Sequence, residues 1–151
     1  MPIRRILVAV DYSQTSTRAL EYAGALAEQF NAKIEVVHVW DRPQYVPATT
    51  HVTHPSGQGR ISLAELIAEN AERDMQEFLD QCELPRSVHL THHLVGGEPS
   101  AKILECAEQS HQLLVLGTHG RSGVKHLVLG SVAERVVRLC PIPVITVPNY
   151  S

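Results

Sequence analysis

"LLVLGTHGRSGVKHLVLGSVAERV", Leu113 to Val136, joins three kinds of sequence in one stretch. The apolar run at its start, Gln112–Gly117 with the preceding residue, reads as a buried strand. Gly117, Gly120, Gly123 and Gly130 follow, and from about Ser131 to Leu139 the apolar spacing turns helical. Strand, glycine-rich loop and helix together have the parts of a phosphate site. A glycine lets backbone approach a ligand with no Cβ in the way. The start of a helix offers free N–H groups and a positive dipole end to an anion. A plainer alternative stands beside each part. Glycines after a strand also simply turn the chain, and Ser131-Val132-Ala133-Glu134 has capping-box spacing, in which Ser131 only closes its own helix.

The same alternation continues outward from this stretch. "IRRILVAV", Ile3–Val10, and "KIEVVHVW", Lys33–Trp40, read as buried strands. Between them Ala19, Leu20, Ala23, Leu26, Ala27 and Phe30 recur at helical spacing, with Ser13 or Thr15 as the cap. Asp41–Arg60 holds Pro43, Pro47, Pro55, Gly57 and Gly59 and reads as a long loop. A second helix starts at Ser62, with Glu65 three residues on. Ser87–Val95 is a more alternating strand, placed nearer an edge. Gly96, Gly97 and Pro99 introduce a helix with Ile103, Leu104 and Ala107, and Ile142–Val147 is the last strand.

Strands alternating with helices predict a parallel sheet covered on both faces. Right-handed crossovers make a doubly wound α/β sheet of five mainly parallel strands the expected architecture. Such sheets bind ligands outside the carboxyl ends of their strands, where the strand order reverses. The ends to inspect are Val10–Ser13, Val39–Asp41, Val95–Gly97 and Leu116–Gly120.

The chain of 151 residues is read as one domain, within the rough prior of about 100–200 residues per domain. Hydrophobic content of 44%, charged content of 19% and a net charge of -3 describe an ordinary globular protein. There is no basic run to argue for nucleic acid and no apolar stretch of membrane-spanning length. Cys82, Cys106 and Cys140 are odd in number and far apart, which favours a reducing, cytoplasmic setting over a disulfide framework. Cys106 and Cys140 read as small core residues. Nine histidines raise a metal reading, yet in a strand His89 and His93 share a face while His92 points away. "HLTHH" therefore does not converge its rings, and no metal site is assigned. His51 and His54 fall in the long loop.

Two well-known phosphate patterns are absent: GxxxxGK[ST], and GxGxxG, of which Gly57-Gln58-Gly59 carries only two glycines. What is present is Gly117-x2-Gly120-x9-Gly130-Ser131. With "ILVAVDYSQTSTRAL" near the start, "VVHVW" at the second strand and "LLVLGTHGRSGVKHLVLGSVAERVVRLCPIPVITV" at the end, the chain resembles the universal stress protein family over nearly its whole length. The last segment matches that family's ATP-binding signature, G-x2-G-x9-G-[ST]. The resemblance implies a Rossmann-like fold of the adenine nucleotide alpha hydrolase type. It implies an adenine pocket at Ala9, Val10, Asp11 and Val39, completed by Leu116 and Gly117. Phosphate contacts fall on Gly120, Gly130, Ser131 and Val132, with Ser122 and Arg121 as further candidates. His119 either touches the ligand or covers it, and Lys125 is either a phosphate partner or solvated. Asp11 either meets the nucleotide or only caps the turn. Ala133 stands where some relatives have a hydroxyl, which removes one phosphate contact.

The resemblance thus implies a small module binding ATP (or ADP or AMP), with Mg²⁺ carried on the phosphates, whose occupancy regulates an unknown protein partner or its own assembly. A slow ATPase or phosphotransferase is the enzymatic alternative, and a structural interaction protein without nucleotide is the third. The apolar last strand and the dimers of related proteins imply a homodimer through Val144–Val147.

Overall fold

In the computed structural model, residues 1–40, 46–47, 49–119 and 129–149 are described. Their elements run β1 (Arg5–Ala9), α1 (Gln14–Phe30), β2 (Lys33–Trp40), β3 (His51–Thr53), β4 (Arg60–Ser62), α2 (Leu63–Gln81), β5 (Leu90–Gly96), α3 (Pro99–Ala107), β6 (Leu113–Gly117), α4 (Ser131–Leu139) and β7 (Val144–Val147). Five strands form one parallel sheet in the order β5-β2-β1-β6-β7. The chain therefore winds outward from β1 in one direction and, from β6, in the other. The reversal lies between β1 and β6.

The period-2 alternation of each strand sorts the core into two layers. Ile6, Val8, Ile34, Val36 and Val115 face α1 and α2, where Ala19, Leu20, Ala23, Met75 and Phe78 meet them. Leu7, Ala9, Val37, Leu114 and Leu116 face α3 and α4 through Ile103, Ala107, Ala133 and Val136. β1 is buried from Ile6 to Ala9, as befits a central strand. β5, at an edge, alternates burial and exposure, which agrees with its more polar sequence.

Helix starts follow their capping residues. The Ser13 hydroxyl accepts from Ser16 N at 3.2 Å and caps α1. Ser62 does the same for α2, accepting from Glu65 N at 3.1 Å. α1 ends on Asn31 in the left-handed region, at φ 52°, a conformation that asparagine tolerates.

The segment expected to be a continuous loop holds more structure. His51–Thr53 pairs antiparallel with Arg60–Ser62, a hairpin closed by His54 N donating to Gly59 O at 2.9 Å. Gly57 and Gly59 have φ of 78° and 86°, so the glycines read as loop punctuation are the residues that let the hairpin reverse.

At the amino end of the sheet, polar side chains close on one another. Glu35 Oε2 lies 2.6 Å from Arg5 Nη2 and 3.0 Å from His111 Nε2, and Glu35 Oε1 lies 3.3 Å from His93 Nε2. The His111 side chain has no exposed surface, and its Nδ1 is 2.9 Å from Cys106 O. His92, on the opposite face of β5, meets Glu72 of α2 instead. The expected divergence of the two rings is present. Among the described residues no three His, Cys, Asp or Glu side chains could hold a metal ion together.

Candidate functional site

At the opposite end, where β1 and β6 part company, a cavity of about 210 Å³ opens on the α3 and α4 side. Its walls are apolar: Ala9, Val37 and Val39 from the sheet, Leu116 from β6, and Pro99 and Ile103 from α3. Its polar groups gather at one side, with Asp11 and Ser16 from the first turn, Thr118 after β6, and Gly130 to Ala133 at the start of α4. A mostly apolar slot with a few converging polar groups is the usual form of a small-molecule site.

The start of α4 is the electrostatic feature of this cavity. Gly130 is the N-cap and makes no side-chain capping bond. Ser131 is the first helical residue, so the capping-box alternative does not hold. Gly130 N is occupied, donating to Thr118 O at 2.6 Å, and Glu134 N makes the first intrahelical bond, to Gly130 O at 2.9 Å. The N–H groups of Ser131, Val132 and Ala133 have no acceptor within the helix, and all three residues line the cavity. An anion seated there receives backbone donors and the helix dipole together.

α3 begins at the same end of the sheet but closes itself. Glu98 caps it, accepting from Ala101 N at 2.8 Å and Ser100 N at 3.2 Å, with the Ser100 hydroxyl at 2.8 Å. The Ala101 N–H and then the Ser100 hydroxyl hold the Glu98 carboxyl below its ordinary range.

Asp11 holds the turn after β1 and stands at the cavity. Its Oδ1 accepts from Ser13 N at 3.0 Å and from the Ser16 hydroxyl at 2.7 Å, while its own N–H donates to Ser16 Oγ at 2.9 Å. This is the turn-capping role. The residue also lines the cavity.

Of the residues singled out in the sequence, Ala9, Val10, Asp11, Val39, Leu116, Gly117, Gly130, Ser131 and Val132 converge on the cavity. His119 is not among the lining residues; its Nδ1 meets the Thr118 hydroxyl at 2.9 Å. Gly120, Arg121, Ser122, Gly123 and Lys125 lie outside the described residues. Gly117 also has a packing role beside its place in the cavity wall. A Cβ built on it would stand 2.5 Å from Thr15 Cγ2. The missing side chain lets the first turn of α1 pack against β6.

Val37, Pro99, Ile103, Ser16 and Thr118 were not anticipated. Val37 and Ile103 carry the pattern of ordinary core residues. Ser16 had a legible signal, because a hydroxyl five residues after Asp11 at a helix start is placed to bind it. Cys82 and Cys106 bring no reactive thiolate: burial pushes Cys82 up to about 11, helped by the Glu21 charge, and burial followed by the charge of Glu35 raises Cys106.

The model of the universal stress protein family matches residues 2–148. A universal stress protein of Thermus aquaticus is 32% identical over 145 residues, covering 95% of this chain and 98% of the relative. One from Bacillus subtilis is 29% identical over 151 residues, covering 95% and 97%. Among solved structures, universal stress protein UspA from Lactobacillus plantarum superposes with a TM-score of 0.68 at 26% identity, over 97% of this chain and 99% of that one. Two further structures are complexes. One is a universal stress protein with cAMP (TM-score 0.64, 22% identity, 98% of each chain). The other is from Archaeoglobus fulgidus with dAMP (TM-score 0.60, 20% identity, 97% of this chain and 99% of that one). At those identities the likeness is one of fold.

Proposed function

The chain belongs to the universal stress protein family, and from that premise we propose that it is a single-domain module binding an adenine nucleotide at the carboxyl end of its sheet. ATP, ADP or AMP is the ligand class, and occupancy regulates a protein partner or the module's own assembly. The observation that carries this reading is the uncapped start of α4, opening into an apolar cavity at the strand-order reversal. The apolar walls suit an aromatic base, and the N–H groups of Ser131, Val132 and Ala133 suit a phosphate. The cAMP and dAMP complexes of proteins with this fold support the same ligand class.

Asp11, Thr118 and Ser131 are oxygen-bearing residues of the cavity lining and suit a hydrated Mg²⁺ carried on the phosphates, since that ion keeps waters and needs few protein ligands. The outer side of β7, unpaired among the described residues, supports a homodimer through Val144–Val147, which would cover an apolar edge. The three free cysteines support a reducing, cytoplasmic setting. No helix among the described residues is long and apolar enough to cross a membrane.

Titration calorimetry with ATP and Mg²⁺ tests the central claim. Saturable heat is expected with the wild type and should be lost in Gly130→Val, whose side chain enters the phosphate approach. Absence of heat from folded wild type at high micromolar nucleotide would refute it. Steady phosphate release that disappears in the same variant would move the reading toward an ATPase.

A further inference from the structure

The turn that delivers Asp11 to the cavity contains a residue in a conformation its side chain disfavours. Tyr12 has φ 66°. For a bulky L-residue this left-handed region is an outlier, because Cβ crowds the following carbonyl. Such residues persist only where their surroundings over-determine them, and they gather at ligand clamps. Asn31 also has positive φ, but it is a helix C-cap of a type that accepts it. Tyr12 has no such excuse.

Its surroundings explain what holds it. The Tyr12 ring stacks on His38 at 4.2 Å between centroids and 29° between planes, and tilts against Phe78 at 5.3 Å and 45°. His38 is itself anchored. Its Nδ1 lies 2.8 Å from Val10 O, and a carbonyl only accepts, so Nδ1 carries the proton and donates. That bond ties β2 to β1 just past the point where Val10 N donates to Val37 O at 2.9 Å. Val10, Asp11 and Tyr12 are thus pinned in sequence. Tyr12 goes into the core under α1 and α2, and Asp11 turns to the cavity on the other side of the sheet.

We propose that Tyr12 is a positioning residue: its left-handed turn, held by the His38 and Phe78 rings, sets Asp11 and the end of β1 in ligand-ready geometry before any ligand arrives. The inference rests on the nucleotide reading, and its test separates the two. Tyr12→Phe keeps the stack. Tyr12→Ala removes it, and Tyr12→Asn removes it while remaining at ease in the left-handed region, so that at least one stack-free variant folds. In calorimetry with ATP and Mg²⁺, Tyr12→Phe should bind within about twofold of wild type, while the stack-free variants weaken by about tenfold or more. If Tyr12 acts through Asp11, then adding Tyr12→Asn to an Asp11→Ala chain should cost little further affinity. Full multiplication of the two losses, or a folded stack-free variant that binds like wild type, would overturn the proposal. Amide NMR of the ligand-free protein reads the same point without nucleotide. The Asp11 and Ser13 signals should move in Tyr12→Asn and stay in Tyr12→Phe; unmoved signals in Tyr12→Asn would also overturn it. If wild type binds no nucleotide, the nucleotide reading fails and this NMR comparison still decides the role of Tyr12.

Discussion

The two ends of the sheet handle polar groups in opposite ways. At the amino end, the Gln112 side chain takes up Arg4 N and Arg5 N at 3.0 and 2.8 Å, and Glu35 gathers Arg5, His111 and His93. At the carboxyl end, α3 repeats that behaviour through Glu98, whereas α4 starts on a glycine with no capping side chain. At one end the polar groups are satisfied from within the chain; at the other, α3 is closed in the same way and the start of α4 has no capping side chain. The difference supports the proposed anion position more sharply than the glycine spacing does.

Closing the open end should have the largest effect. Gly130 has φ -68° and ψ 166°, which any residue adopts. Gly130→Asp would give α4 the carboxylate cap that α3 already has, directed at the N–H groups of its first turn. ATP affinity is expected to fall about a hundredfold or more, roughly 2.7 kcal/mol, while the urea midpoint holds or rises. Calorimetry and urea unfolding on the same sample check both halves.

Gly117→Ala separates fold from ligand at that end. Its Cβ would meet Thr15 Cγ2 at 2.5 Å, and overpacking of this kind costs about 1–3 kcal/mol. Unfolding free energy should drop by that amount and recover in part with Thr15→Ser, which removes the nearest atom.

Opening the closed end comes next. Glu35→Gln leaves buried His111 and half-exposed Arg5 without their carboxylate, at a cost of about 1–3 kcal/mol, with nucleotide affinity unchanged. Burial alone would raise the Glu35 carboxyl, but hydrogen bonds from His111 and Arg5 and the charges of His111 and His93 hold it below 4.5. A carboxyl lowered by folding stabilises the fold above its unfolded value and loses that contribution as pH falls through the folded one. The stability gap between wild type and Glu35→Gln should therefore be full at neutral pH and narrow below about 4.5. Denaturant curves at several pH values report it.

Smallest of all should be Glu98→Ala, which uncaps α3 for about 1 kcal/mol of stability. ATP affinity should stay within about twofold, since on the proposed reading α4 is the helix that receives the phosphate.

The alternation of apolar strands and amphipathic helices was legible, because its period is set by local geometry. So were the Ser62 cap, the edge position of β5 and most of the cavity wall. The hairpin was not: Thr50–Ser62 is dense in the residues that also make irregular loops, and only the pairing of His51–Thr53 with Arg60–Ser62 distinguishes the two. The capping-box alternative for Ser131 could not be settled from spacing, which is indifferent to where the helix begins; α4 starts with Gly130 as its N-cap. The packing of Gly117 against Thr15 was not legible, because the two are remote in sequence. Glu35 and His111 carried no local sign of their pairing, since a charge inside an apolar strand is explained only by partners 76 positions away.

The central place of β1 bears on how the molecule is made. β1 is flanked by β2 and β6, and Arg5 finds Gln112 across 107 positions of chain. During synthesis the most buried strand must therefore wait, one apolar edge bare, until β6 emerges from the ribosome. Contacts of such long separation slow folding, and bare strand edges invite misassembly while they last. A nascent chain halted before Leu113 should be a client for chaperones, and one released after Val147 should not.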